Sequence, residues 1–133
     1  MADPQIHLSD NEWRIMQVLW DGAPRTLRQI CDAVRSDAGW TKHAVISFLK
    51  RLQAKGAVRV EEREPARLYY PLIAEKDALG QETRTVLDRV YRGDVALMVS
   101  NAVSQKDVTE RDIEELMDIL RQAKGREKDG GNP

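Results

Sequence analysis

Cysteine is nearly missing from this chain: Cys31 is the only one among 133 residues. That excludes an intrachain disulfide and a thiolate metal cluster. Long apolar runs are missing too. No stretch approaches the roughly 20 apolar residues that cross a bilayer, and 32% of the residues are charged, so no membrane insertion is expected. The opening Met1-Ala2-Asp3-Pro4-Gln5-Ile6-His7 has neither the basic nor the apolar segment of a secretory signal. A cytoplasmic protein is expected. Catalytic groupings are equally scarce. The two histidines, His7 and His43, lie far apart, and no metal-ligand spacing joins them. Gly22, Gly39, Gly56, Gly80 and Gly93 stand singly, without a phosphate-cradling loop, and Ser47 has no base beside it. The expectation is therefore no catalytic residue, no cofactor and no metal.

A last absence is local. Between Thr41 and Arg59 there is no Asp or Glu, although the whole chain has 22 of them and a net charge of −1. In that stretch Val45, Phe48, Leu49 and Leu52 recur at i, i+3, i+4 and i+7, the seam of an amphipathic helix. At 100° per residue, His43, Ser47, Lys50 and Ala54 fall opposite the seam, flanked by Ile46 and Arg51. A solvated helix in a near-neutral protein usually mixes signs. One that excludes carboxylates faces something anionic, and the major groove of DNA admits a helix.

Around that helix the local signals give an order of elements. Ser9-Asp10-Asn11-Glu12 is a capping box, and Trp13, Ile15, Met16, Leu19 and Trp20 form the buried face behind it. Asp21-Gly22-Ala23-Pro24 ends the first helix. Thr26 caps a second helix expected to reach about Arg35, with Leu27, Ile30, Cys31 and Val34 as its seam. Cys31 thus reads as a small core residue. Ser36 to Trp40 is the expected turn, and Thr41 caps the third helix, which stops at Lys55-Gly56. Two strand patterns, Val58 to Arg63 and Arg67 to Pro71, are joined at Glu64-Pro65-Ala66. Three helices and a hairpin are the order of a winged helix-turn-helix.

The remainder is helical. A helix from Glu75 to Tyr91 carries Leu79, Val86, Leu87, Val90 and Tyr91 on one face, and Gly93 breaks it. A short apolar segment, Val95 to Val103, includes Leu97 and Met98. Thr109 with Asp112 opens a last helix with Ile113, Leu116, Met117 and Leu120 as its seam. Three short striped helices do not bury their stripes in one another at this size. Self-association through these residues is the expected solution, preferred over packing back onto the first half. The fold class is mostly α with a small β-hairpin. The expected division is a winged-helix domain over 1–73, a helical dimerisation region over 74–124 and a disordered tail over 125–133.

At this point the chain resembles the penicillinase-repressor (BlaI/MecI/CopY) family of bacterial transcription regulators. The residues that carry the resemblance are Leu8-Ser9-Asp10-Asn11-Glu12-Trp13 with Met16 and Trp20. Gly39-Trp40-Thr41, Leu49-Lys50-Arg51-Leu52, Lys55-Gly56 and Tyr69-Tyr70-Pro71 continue it, in order, over about residues 6 to 123. Membership implies a homodimeric repressor on a palindromic promoter operator, with the C-terminal helices making the dimer. In antibiotic-responsive members a membrane-bound sensor protease system triggers cleavage after an asparagine in the dimerisation region. Asn101-Ala102 stands there in this chain, matching the asparagine but not the phenylalanine that usually follows. His43-Ala44 departs from the basic residue and threonine that many members carry, so the operator sequence does not transfer. The paired-cysteine copper motif is absent.

The expected mechanism assigns phosphate contacts to Lys42, Lys50, Arg51 and Lys55, with Thr41 at the helix start and Arg67 from the hairpin tip. Base reading falls to His43, Ala44, Ile46 and Ser47. Two such helices one turn of DNA apart, about 34 Å, require an inverted repeat. The alternative is a winged-helix module that binds protein through the same face, which gives no reason to exclude carboxylates.

Overall fold

The structure, a computed structural model, describes residues 6–129, with the backbone alone for 36–38 and 127–129. Among the described residues the order is α1 (Asp10–Asp21), α2 (Leu27–Ala38), α3 (Lys42–Ala54), β1 (Val58–Glu61), β2 (Leu68–Pro71), α4 (Glu75–Arg89), α5 (Val95–Gln105) and α6 (Glu110–Asp129). Two compact units divide the chain, the first ending at Val86 and the second beginning at Leu87.

Helices α1, α2 and α3 each start where a side chain satisfies an otherwise unpaired N–H. Ser9 Oγ accepts from Glu12 N–H at 3.2 Å while Glu12 Oε1 accepts from Ser9 N–H at 2.8 Å. Thr26 and Gln29 repeat the arrangement on α2. Thr41 Oγ1 accepts from Ala44 N–H at 3.2 Å on α3. The end of α2 differs from the expected turn at Ser36. The helix runs on to Ala38 because Gly39, at φ +63°, supplies the left-handed residue that closes it and donates its N–H to Arg35 C=O at 3.0 Å.

The core lies where α1, α2, α3 and the hairpin meet. Ile15, Met16, Leu19, Ile30, Val45 and Leu52 are fully buried there. Each contributes about 1.5–3 kcal/mol by leaving water. Cys31 is packed against this core but only half-buried. The antiparallel hairpin pairs Val58 with Pro71 and Val60 with Tyr69. Arg25, between α1 and α2, exchanges both backbone hydrogen bonds with Tyr69, at 3.2 and 2.8 Å, and so adds a one-residue third strand. No alternation marks that position in the sequence, since Pro24-Arg25-Thr26 is too short to show one.

The first half of α4 also belongs to this unit. Trp20 Nε1 donates to Ile73 C=O at 2.9 Å, and Trp13 Nε1 donates to Glu82 Oε1 at 3.3 Å. The two indoles meet edge to face with centroids 5.7 Å apart. Ala78 is buried and Gln81 Oε1 accepts from Ile6 N–H at 3.3 Å. Thus α4 has two faces. Ala78, Gln81 and Glu82 line the one turned to α1 and the segment before it. Leu79 and Val86 lie on a different one, with Val90 just past the helix end. The winged-helix unit accordingly extends beyond Ile73.

In the second unit, Arg92 and Gly93, at φ +53° and +83°, turn the chain out of α4. Asp94 caps α5 by accepting from Leu97 N–H at 3.0 Å, and Thr109 and Asp112 form a reciprocal pair at the start of α6. The last helix continues to Asp129, past Lys124, after which the disordered tail is expected. Residues 130–133 of that tail lie outside the described residues. Among the described residues from Leu87 to Arg126, none is buried.

Candidate nucleic-acid interface

The third helix turns its apolar seam inward and leaves a polar ridge in solvent. Val45, Leu49 and Leu52 are buried, while Thr41, Lys42, His43, Ser47, Lys50, Arg51 and Ala54 are exposed. Phe48 is half-buried and packs against Trp40 at a tilt of 54°, with centroids 5.0 Å apart, and the Arg51 guanidinium lies 5.8 Å from the centre of the Phe48 ring. That contact holds one cation on the flank of the ridge. Ala44 and Ile46 are half-buried rather than at the crest. His43 and Ser47 therefore stand at the crest of the ridge.

The structure gives Lys55 a different task from the phosphate contact expected of it. Its ammonium donates to Glu12 Oε1 at 2.5 Å and to His7 C=O at 2.6 Å. Glu12 is 1% exposed and is the one buried charged residue among those described. Burial pushes its carboxyl up, but the hydrogen bonds from Lys55 and Ser9 outweigh that, and its pKa sits below the ordinary value of 4.5. Lys55 thereby ties the end of α3 to the start of α1.

Ion pairs run along the wing. Glu61 takes Arg59 at 3.3 Å and Arg63, and these hydrogen bonds, Arg63 first, keep its carboxyl below the usual range. Arg67 Nε lies 3.0 Å from Glu62, with both side chains well exposed. So exposed a pair contributes little, about 0–1 kcal/mol, and holds Arg67 only weakly.

Between α2, α3 and the wing lies an open cavity of about 740 Å³. From α3, Lys42, Ile46, Lys50 and Gln53 line it. Arg28 and Arg35 from α2 and Arg67 from the wing face the same space. The acid among them, Asp32, lies 3.6 Å from Arg35. Sequence periodicity found the α3 cations. It gave no role to Arg28, Arg35 or Gln53, because only the tertiary arrangement of α2 against α3 brings them to one place.

The residues expected to mediate self-association are exposed or half-buried, and none is buried. Leu79, Val90, Leu97, Ile113, Met117 and Leu120 are between 46% and 63% exposed. Val86, Leu87, Tyr91, Met98 and Leu116 are half-buried. Asn101 lies inside α5, half-buried, with its amide 3.5 Å from Tyr91 Oη, and Ala102 is exposed. No described helix is long and apolar enough to cross a membrane.

Three helices, a wing and a carboxylate-free ridge of cations and hydrogen-bonding side chains define a winged helix-turn-helix protein. The sequence profile of the penicillinase repressor family matches residues 8–122. The chain belongs to that family, whose members are repressors and not enzymes. It is 29% identical over 126 residues to the penicillinase repressor of Bacillus licheniformis, covering 95% of this chain and 97% of the relative. To the methicillin resistance regulatory protein MecI of Staphylococcus aureus it is 25% identical over 120 residues, 90% of this chain and 98% of that one. Among solved structures, the DNA-binding domain of the repressor BlaI is similar at 25% identity and a TM-score of 0.50, over 54% of this chain and 88% of that one. The monomeric form of Bacillus licheniformis BlaI, in complex with the blaP half-operator, is similar at 26% identity and a TM-score of 0.50, over 55% of this chain and 90% of that one.

Proposed function

We propose that this repressor acts as a homodimer on an inverted-repeat DNA operator, laying α3 of each protomer in the major groove. The observation that carries the reading is the exposed face of α3, which runs from Thr41 through Lys50 and Arg51 without a carboxylate. Lys42, Lys50, Arg51 and Arg67 neutralise phosphates and fix position, while His43 and Ser47 read base edges. Ala44 and Ile46, half-buried on the flanks, contribute apolar contact to a thymine methyl where the groove wall approaches them. Support comes from the fold shared with BlaI, a form of which was solved on its half-operator. Occupying a promoter would exclude polymerase.

The exposed apolar residues of α4, α5 and α6 support self-association, because water-facing Leu, Ile and Val in such numbers are covered in a stable assembly. Release by cleavage at Asn101-Ala102, triggered through a membrane-bound sensor, is the finer part of the proposal. The bond lies within α5, so a protease needs that helix to unwind locally before it can bind an extended backbone. A helix of 11 residues has little intrinsic stability to oppose this.

The test is fluorescence anisotropy with duplexes tiled across the promoter upstream of the chain's own coding region. A segment with a two-fold repeat should bind more tightly than random duplex. Log affinity should fall with log salt by about 0.9 for each phosphate neutralised. Weak, salt-insensitive binding to every duplex would leave the ridge as a protein-binding surface instead.

A further inference from the structure

The cavity between α2, α3 and the wing has a character that phosphate contact alone does not explain. Its floor is apolar: Leu49 and Tyr69 are buried, and Leu27, Cys31 and Ile46 stand half-buried around them. Burial pushes the Cys31 thiol up, with Asp32 adding to the effect, so the sulfur stays protonated and behaves as part of the apolar wall. Trp40 closes one side with an aromatic surface. Charged side chains make the rim: the cations Arg28, Arg35, Lys42, Lys50 and Arg67 against one acid, Asp32, which lies 3.6 Å from Arg35. A DNA backbone satisfies such a rim but has nothing apolar to place on the floor. At about 740 Å³ the space falls in the range of roughly 300–1,000 Å³ that holds small organic ligands, and an apolar base with a few charged groups at the mouth is their usual environment.

We propose that this cavity binds a flat aromatic carboxylate, ring down on the floor and carboxylate against the rim, and that its occupation excludes DNA. Charge complementarity selects the class: an uncharged aromatic leaves the rim unpaired, and a bare anion leaves the floor in water. Exclusion follows because Lys42, Lys50 and Arg67 are the cations the proposed function assigns to phosphates. That half of the inference rests on the DNA-binding reading; ligand binding itself does not.

The experiment uses the full chain and 2-naphthoate as probe, with 2-naphthylmethanol and inorganic phosphate as controls. Of the three tryptophans, Trp40 lines the cavity, while Trp13 and Trp20 pack together elsewhere. In NMR titrations the Trp40 indole signal, assigned with Trp40→Phe, should shift and saturate with naphthoate while those of Trp13 and Trp20 stay in place. The alcohol and phosphate should produce no comparable saturation. Arg28→Ala should weaken naphthoate binding about tenfold or more, the effect of losing one charge-assisted hydrogen bond. Cys31→Phe, confirmed as folded by its melting curve, should abolish binding by filling the floor. The Trp40 signal on the unmodified chain decides the matter if that variant does not fold. Naphthoate should also displace promoter duplex competitively. No saturable Trp40 shift, or equal binding of the alcohol, overturns the site and leaves the DNA-binding reading intact. Saturable binding without displacement of bound duplex overturns the exclusion.

Discussion

The two units of the chain use similar helices and opposite burial. In the first, Ile15, Met16, Leu19 and Leu52 are completely out of water. In the second, Val90, Val95, Ile119 and Leu120 are each more than half exposed, at 58, 56, 58 and 63%. Local signals do not distinguish them. Ser9, Thr26 and Thr41 cap helices in one, and Asp94 and Thr109 do the same in the other. Caps decide where a helix starts; tertiary packing of its apolar face decides whether it persists. One unit carries its own packing, and the other leaves its apolar faces in water.

Cutting the chain between the units should therefore give the largest effect. A fragment of residues 1–86 should melt cooperatively and sediment as a monomer. A fragment of residues 87–133 alone should show no cooperative transition at low concentration. Operator affinity of 1–86 should fall by orders of magnitude, because two linked half-site binders gain an effective concentration in the millimolar range. Residues 1–101, the product of cleavage after Asn101, should resemble 1–86 because Ile113, Leu116 and Leu120 are gone. Sedimentation and anisotropy titrations check both. A dimeric 1–101 that holds the operator as the whole chain does would remove any physical basis for induction by that cut.

Single side chains sharpen the same contrast. Ile15→Ala in the 1–86 fragment should lower stability by about 2–5 kcal/mol, the cost of a cavity in a closed core, read from denaturant midpoints. Leu120→Ala should leave that core alone and raise the dimer dissociation constant instead. If Leu120→Ala destabilised the chain equally at every protein concentration, its side chain would be packed within the protomer and not between protomers.

Much of the first unit was legible before any coordinates. The Ser9/Glu12 capping box and the Val45-Leu49-Leu52 seam stand as the residue pattern implies, because each depends on neighbours within a few positions. The hairpin stands with shorter strands than expected, ending at Glu61 and resuming at Leu68. The family also was written in an ordered series of short motifs. What escaped has long-range causes. The pairing of Arg25 with Tyr69, the docking of Ala78 and Glu82 on α1, and the gathering of Arg28 with Lys50 and Arg67 join residues far apart in the chain. Lys55 is the clearest instance. By composition it is one more cation on a basic helix, and only the approach of α1 reveals Glu12 as its partner.

That distinction is measurable. Lys50→Ala should flatten the salt dependence of DNA binding by about one unit if a phosphate contact is lost, with little change in stability. Lys55→Met should do the reverse. Stranding a buried carboxylate costs about 3–5 kcal/mol where both partners are enclosed. The Lys55 side chain is 37% exposed, and solvent screening reduces the expected loss to roughly 1–3 kcal/mol. A flattened salt slope in Lys55→Met, with the melting curve unchanged, would return Lys55 to the phosphate contacts. His43→Ala and Ser47→Ala should cost about 1–3 kcal/mol on the operator and little on random duplex. Equal losses on both would show that they only position the helix.

The smallest effect expected is one of pH, and it again separates the two units. Glu12 is buried in the first, and its hydrogen bonds from Lys55 and Ser9 hold its folded pKa below the ordinary value of 4.5 despite the opposing effect of burial. A carboxyl whose pKa is lowered by folding binds fewer protons in the native state than in the unfolded one. Its contribution is complete above the unfolded value and is lost as the pH falls through the folded value. Stability of the 1–86 fragment should then be level from about pH 7 to about pH 5.5 and decline below the ordinary carboxyl range. Glu12→Gln keeps an N3 side chain able to complete the capping box but carries no titrating group. Its deficit relative to the native chain should be constant near neutrality and shrink on acidification, read from urea midpoints at each pH. A deficit that stayed constant down to about pH 3 would mean that the Glu12–Lys55 contact contributes no charge-dependent stability, and that other carboxylates govern the acid limb.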